Sequence, residues 1–146
     1  MTQSDIKKIV ENLIQTFLDA GKISIDLRKK GLTKEIKSDN TPVSNGDLEV
    51  NKILSKKILS LTPNIPIVSE ETSENKSKNN LENFWLIDPI DGTYDYINDL
   101  DEFTINAGLI IQKKPVAGLI YAPAKNRMFY SYGCLLYTSD AADERR

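Results

Sequence analysis

The sequence predicts an α+β fold in which N-terminal helices pack on a largely antiparallel sheet. Three observations carry that expectation. Two N-terminal segments place apolar residues at helical spacing, the region from Phe103 alternates with a period of two, and turn residues fall at hairpin spacing along it. At 146 residues the chain has the length of one domain and can bury roughly two-thirds of its unfolded surface. Its 40% apolar and 27% charged residues are the composition of a globular protein.

Each element follows from local chemistry. Ile6, Ile9, Val10, Leu13, Ile14, Phe17 and Leu18 form the apolar stripe of a first helix, with Thr2 or Ser4 as its cap. Gly21 and the mixed stretch up to Gly31 leave its end open. Residues 34–43 are polar and read as extended or looped, because Pro42 disfavours helix at Thr41. Ser44 or Asn45 then caps a second helix with the stripe Val50, Ile53, Leu54, Ile58 and Leu61, stopped by Pro63. Asp47 falls in its first turn, where the helix dipole alone favours a carboxylate.

Residues 65–69 form a short strand running into Glu70 and Glu71, and the polar residues 72–80 read as a mobile loop. Residues 84–87 are an unalternating apolar strand, expected to be buried on both faces, which ends at Asp88-Pro89-Ile90-Asp91-Gly92-Thr93. Beyond it, Phe103, Ile105, Ala107, Leu109 and Ile111 alternate with Thr104, Asn106, Gly108 and Ile110. A turn at 113–115, a strand over 116–121, a turn at 124–126 and a strand through Met128 to Tyr130 complete a meander.

Composition removes whole mechanisms. There is no histidine, which excludes a Ser-His-Asp triad, imidazole acid–base chemistry and histidine metal ligands. The single cysteine, Cys134, excludes an intrachain disulfide and a Cys-rich zinc site. With 19 basic and 21 acidic residues the net charge is −2, so nothing electrostatic favours a nucleic-acid polymer as partner. No apolar run approaches the roughly 20 residues of a membrane span and the N-terminus lacks signal-peptide form, so a cytoplasmic location is the default. Chemistry is left to carboxylates, hydroxyls, lysines, backbone groups or a hard metal held by oxygen.

The placement of the acids is the informative feature. Glu70 and Glu71 follow one apolar strand, Asp88 and Asp91 another. Adjacent strand ends would bring Glu70, Asp88 and Asp91 together, where repulsion raises their pKa values or recruits a cation. An oxygen-only donor set selects magnesium or manganese. Pro89 would fix the backbone so that both aspartates and the Ile90 carbonyl face one point, while Gly92 permits close approach and Thr93 adds a hydroxyl. Solvated turn acids are the alternative reading of the same residues.

Trp85-Leu86-Ile87-Asp88-Pro89-Ile90-Asp91-Gly92-Thr93 resembles the W-x-[IV]-D-P-[IL]-D-G-T signature of the inositol monophosphatase superfamily. Ile67-Val68-Ser69-Glu70-Glu71 is similar to its upstream element, and Lys37-Ser38-Asp39-Asn40-Thr41-Pro42-Val43-Ser44 with Asp47 to another. Glu102-Phe103-Thr104-Ile105-Asn106, with Gly118-Leu119-Ile120-Tyr121-Ala122-Pro123, is most similar to the 3'(2'),5'-bisphosphate nucleotidase branch, the CysQ type. The resemblance runs from the first helix to about Gly133. It implies a layered α/β sandwich of the sugar-phosphatase type, here truncated before the second domain.

It also implies Glu70, Asp88 and the Ile90 carbonyl as ligands of a first Mg²⁺, and Asp88 with Asp91 on a second. Two or three ions would bind in all, with Mn²⁺ as substitute. Gly92 and Thr93, alongside Glu70, Ile90 and Asp91, would meet the substrate, while Asp47, Thr93 and Glu70 would orient and activate the attacking water. The implied reaction removes the 3'-phosphate of 3'-phosphoadenosine 5'-phosphate, a small phosphorylated substrate. Inositol monophosphatase, fructose bisphosphatase or other sugar phosphatase activity is the alternative, and a non-catalytic metal- or phosphate-binding fragment the alternative of another class. Monomer and homodimer both remain open, as does peripheral membrane association.

The chain departs from the family pattern in four places. The second half, which supplies a third metal aspartate, is missing, so weak binding of the first Mg²⁺, poor turnover and exposed apolar surface are expected. Residues 134–146 match nothing in the family and are expected to be a foreign or frameshifted tail behind a metal-binding domain of residues 1–133. Gly46 stands where the family has Ala, and Tyr94-Asp95-Tyr96 replaces Lys-Glu-Phe.

Overall fold

The computed structural model describes residues 1–71, 81–133 and 135–140; the expected loop at 72–80, Cys134 and residues 141–146 lie outside the described residues. Helix α1 (Gln3–Lys30) opens with a capping box between Thr2 and Asp5. The Asp5 amide donates to Thr2 Oγ1 at 3.1 Å, and the Thr2 amide to Asp5 Oδ2 at 2.9 Å. The helix runs straight through Gly21, whose missing side chain makes room for the Tyr121 ring and Pro123. It stops at Gly31, where φ is +96°.

Strands β1 (Lys34–Ile36) and β2 (Pro42–Ser44) pair as a separate antiparallel hairpin and deliver the chain into α2 (Asn45–Leu61). Ser44 caps α2, and Thr62 closes it. The Thr62 hydroxyl donates to the Ile58 carbonyl and accepts from the Trp85 indole at 3.0 Å, which ties the end of α2 to the sheet.

The main sheet has six strands in sequence order: β3 (Ile67–Ser69), β4 (Phe84–Asp91), β5 (Thr104–Ile111), β6 (Lys114–Ala122), β7 (Arg127–Tyr132) and β8 (Leu135–Asp140). Only β3 and β4 are parallel; the other neighbours are antiparallel. Gly133, where the domain boundary is expected, lies between β7 and β8, and β8 continues the same sheet by pairing with β7 along its length. Gln112 and Lys113 both have positive φ, 52° and 64°, as a tight hairpin turn requires. The strand expected from Val116 therefore begins earlier, at Lys114.

The core lies between the helices and one face of this sheet. Val10, Leu13 and Phe17 of α1, and Val50, Leu54 and Ile58 of α2, meet Trp85, Ile87, Ile105, Leu109 and Leu119 there. The expectation that 84–87 is buried on both faces is corrected. Trp85 and Ile87 are fully buried but Leu86 is 49% exposed on the opposite face. With Ile120 and Phe129 it borders a groove of about 330 Å³ over Gly108 and Gly118. An apolar run records that a strand avoids polar side chains, not that this chain supplies cover for both faces. No helix among the described residues is long and apolar enough to cross a membrane.

Candidate active site

The site is built where β3 ends beside β4, which runs on past it. Their register sets Ser69 against Ile87, and the Glu70 amide donates to the Ile87 carbonyl at 3.2 Å. Glu70 and Glu71 thus leave β3 at the level where Asp88 continues β4. The β4–β5 pairing then slips: Asp88 opposes Asn106 and Asp91 opposes Thr104, so β4 carries one residue more than β5 over that interval. Such a bulge resets side-chain alternation: Ile90 turns to the buried side, and Asp91, which strict alternation would place there, falls on the face that Leu86 and Asp88 share. It falls where Pro89 has no N–H to give the ladder.

Asp88 is half-buried, and its carboxyl is pushed up to about 7. Loss of solvent is the main cause, followed by the like charges of Asp91, Glu70, Glu71 and Asp47. The fold therefore gathers the separated acids within one another's field. Among the described residues, however, no group of three or more acidic side chains stands close enough to hold a metal ion as placed. The two facts are compatible, since charges interact over many ångströms whereas ligation needs oxygens within about 2.0–2.6 Å of one point. Convergence into a field is realised; convergence into a closed cage is not.

Asp47, fully buried, is the third residue of α2 and the second half of its capping box. Its Oδ2 accepts from the Ser44 amide at 2.9 Å and from Ser44 Oγ at 2.5 Å. Its Oδ1 accepts from the Thr93 hydroxyl at 2.8 Å. Thr93 Oγ1 is also 3.1 Å from the Ile90 carbonyl, but the shorter, charge-assisted bond to Asp47 is the stronger. Thr93 begins a short helix, α3 (Thr93–Ile97), that no apolar stripe announced because one turn is too short to show one.

Gly92, before it, has φ +90°, and a Cβ there would stand 2.7 Å from the Glu102 carbonyl oxygen. Only glycine fits, which leaves the backbone of the Asp91–Thr93 turn bare of side chain.

The two small departures from the family pattern are a single compensation. A Cβ on Gly46 would overlap the Tyr96 hydroxyl, which donates instead to the Ser24 carbonyl at 2.6 Å. Gly46 thus leaves room for the Tyr96 hydroxyl, and the tyrosine supplies an interhelical hydrogen bond. Sequence reasoning missed Arg28, whose guanidinium lies 5.6 Å from the Tyr96 ring centre and 5.0 Å from that of Phe103. Arg28 Nη1 donates to the Leu100 carbonyl at 2.7 Å and its Nε is 3.2 Å from Asp99 Oδ1, holding the segment behind α3. A lone arginine near a helix end carries no signal of such a partner. Lys37 Nζ reaches Glu71 at 3.8 Å, which ties the β1–β2 hairpin to the end of β3.

Residues 5–140 match the inositol monophosphatase family, so the chain belongs to that family. It is 38% identical over 114 residues to the 3'(2'),5'-bisphosphate nucleotidase CysQ of Haemophilus influenzae, an overlap of 77% of this chain and 42% of that one. Its fold is similar to that of an IMPase from Thermotoga maritima, with a TM-score of 0.79 at 23% identity over 89% of this chain and 50% of the other. It is also similar to an IMPase/NADP phosphatase solved with Mg²⁺ and phosphate, with a TM-score of 0.77 at 19% identity, covering 94% and 52%. The chain spans about half the length of the relatives it matches.

Proposed function

We propose that the chain carries the cation-binding half of a divalent-metal-dependent phosphomonoesterase whose substrate is 3'-phosphoadenosine 5'-phosphate. One observation supports this above the others. Asp88 is held half-buried amid Asp91, Glu70, Glu71 and Asp47, with its carboxyl pushed up to about 7, beside the hydrogen-bonded pair Thr93 and Asp47. A solvated turn acid would not be raised in this way. The chemistry of the donor set fits a hard dication, being all oxygen and crowded with negative charge. The carboxylates must adjust to enclose one, as their present placement does not.

Glu70, Asp88, the Ile90 carbonyl and Asp91 would hold two or three such ions, Mg²⁺ or in its place Mn²⁺. When bound, a dication supplies positive charge to the phosphoryl oxygens and lowers the pKa of water. The chain's own residues do the placing. Thr93, its proton committed to Asp47 Oδ1, offers its remaining lone pairs to an attacking water and aims that water's oxygen at phosphorus. The bare backbone at Gly92 and Thr93 lets phosphate oxygens approach the amides. All of these residues lie within 1–133, which we retain as the unit carrying the site.

Relatives named as bisphosphate nucleotidases support this choice of substrate. Titration calorimetry with Mg²⁺, with Asp88→Asn as control, tests the site. Phosphate release from 3'-phosphoadenosine 5'-phosphate, inositol 1-phosphate and fructose 1,6-bisphosphate tests the substrate. Weak binding lost in the variant, and slow release favouring the nucleotide, are expected. Binding heat unchanged by Asp88→Asn would overturn the assignment.

A further inference from the structure

The two sides of the site come from different elements, and a single helix reaches both. On α2, Asp47 and Asn51 are one turn apart and share a face. Asp47 holds Thr93 on the β4 side. Asn51 reaches the other side, its Oδ1 accepting from Ser69 Oγ at 2.5 Å. Both partners are withdrawn from solvent, Asn51 9% and Ser69 1% exposed.

Ser69 is the last residue of β3 and immediately precedes Glu70. Its oxygen also accepts from the Glu71 amide at 3.2 Å, so one hydroxyl joins the helix to the backbone on the far side of Glu70. The Glu70 amide is already bound to the Ile87 carbonyl, and Glu71 is close to Lys37. The direction in which Glu70 leaves the strand is therefore set between a sheet bond and a bond that originates in α2. That helix cannot drift, because Val50, Leu54 and Ile58 are buried against β4 and α1.

Satisfying two buried polar groups would not by itself need this pair, since apolar groups of similar shape can replace both partners at little cost. What an apolar pair cannot replace is the directional link from the helix through Ser69 to the Glu71 amide. We infer that Asn51, acting through Ser69, is a positioning residue that sets the Glu70 carboxylate against Asp88. This rests on the cation-binding reading of the site. Groups that orient ligands from behind in this way typically change metal affinity about tenfold or more when removed.

Asn51→Ala, Ser69→Ala and the double variant, measured by Mn²⁺ titration calorimetry and by urea unfolding, test it. Each single variant should weaken Mn²⁺ binding about tenfold. The double variant should be no worse than either single one, because both cut the same link. Ser69→Thr, which keeps the hydroxyl, should bind like the unmutated chain, and it remains a valid comparison if Asn51→Ala folds poorly. Affinities for Ser69→Ala within about twofold of the unmutated chain, with Asp88→Asn still abolishing binding, would overturn the positioning role alone. Absence of Mn²⁺ binding in the unmutated chain would instead overturn the cation site, and this inference with it.

Discussion

Two aspartates at the ends of two elements have opposite relations to the fold around them. Asp47, at the start of α2, is the more deeply buried, yet each of its oxygens accepts hydrogen bonds and it lies in the favourable field of the helix N-terminus. Asp88, near the end of β4, is only half-buried, yet its carboxyl is pushed up to about 7 by lost solvent and four neighbouring acids. Burial depth alone does not decide the cost of a carboxylate: hydrogen bonds offset the lost solvent at Asp47, whereas at Asp88 like charges add to it. Asp47 holds the structure together, whereas Asp88 is charge the structure tolerates.

The contrast is broken most decisively at Asp88. Asp88→Asn should remove detectable Mg²⁺ or Mn²⁺ binding in a calorimetric titration. It should also raise the melting temperature of the metal-free chain at pH 8 by about 3 °C, the shift expected for roughly 1 kcal/mol in a chain of this size. A variant that lost both cation binding and stability would mean Asp88 is held as Asp47 is.

Asp47→Ala should do the reverse. It strands the Ser44 amide and hydroxyl, leaves the Thr93 hydroxyl only its longer bond to the Ile90 carbonyl, and should cost about 2–3 kcal/mol by urea unfolding. Next to it, Gly46→Ala should cost about 2 kcal/mol through collision with Tyr96, and adding Tyr96→Phe should recover most of that loss. Additive losses in the double variant would contradict the compensation between these positions. Thr93→Val removes one of the bonds to Asp47 and should cost about 1 kcal/mol while leaving the cap of α2 intact.

The remaining effect is one of pH. An ordinary aspartate titrates near 3.8, whereas Asp88 keeps its proton in the folded chain to about 7. The folded state therefore binds more protons between those values. The stability Asp88 contributes is full below the lower pKa and is lost as pH rises through the upper one. Cation affinity should run the other way, tightening from pH 6 to pH 8 as the proton that competes with the ion is released. Melting curves and Mn²⁺ titrations across that range should show both slopes, and Asp88→Asn should flatten the first.

The helices were legible because each carries an uninterrupted apolar stripe and a capping residue, and both caps are formed as local chemistry dictates. The meander was legible because Ile105, Ala107 and Leu109 alternate with residues that face away from the core. Leu86 was misread because its exposure depends on what lies over that face, which no neighbour in the sequence records. Arg28 and α3 were missed for a related reason: one contacts residues more than seventy positions away, and the other is a single turn.

The amino-acid order alone determined which oxygens are available, where the chain turns, and that this chain offers no imidazole and no thiolate pair. Those follow from composition and short-range backbone preference. Tertiary structure decided which acids feel one another, because the parallel β3–β4 register and the bulge at Pro89 set their separation. It also decided that Asp47 meets hydrogen-bond donors while Asp88 meets like charges, since both kinds of neighbour are brought up by packing between distant segments.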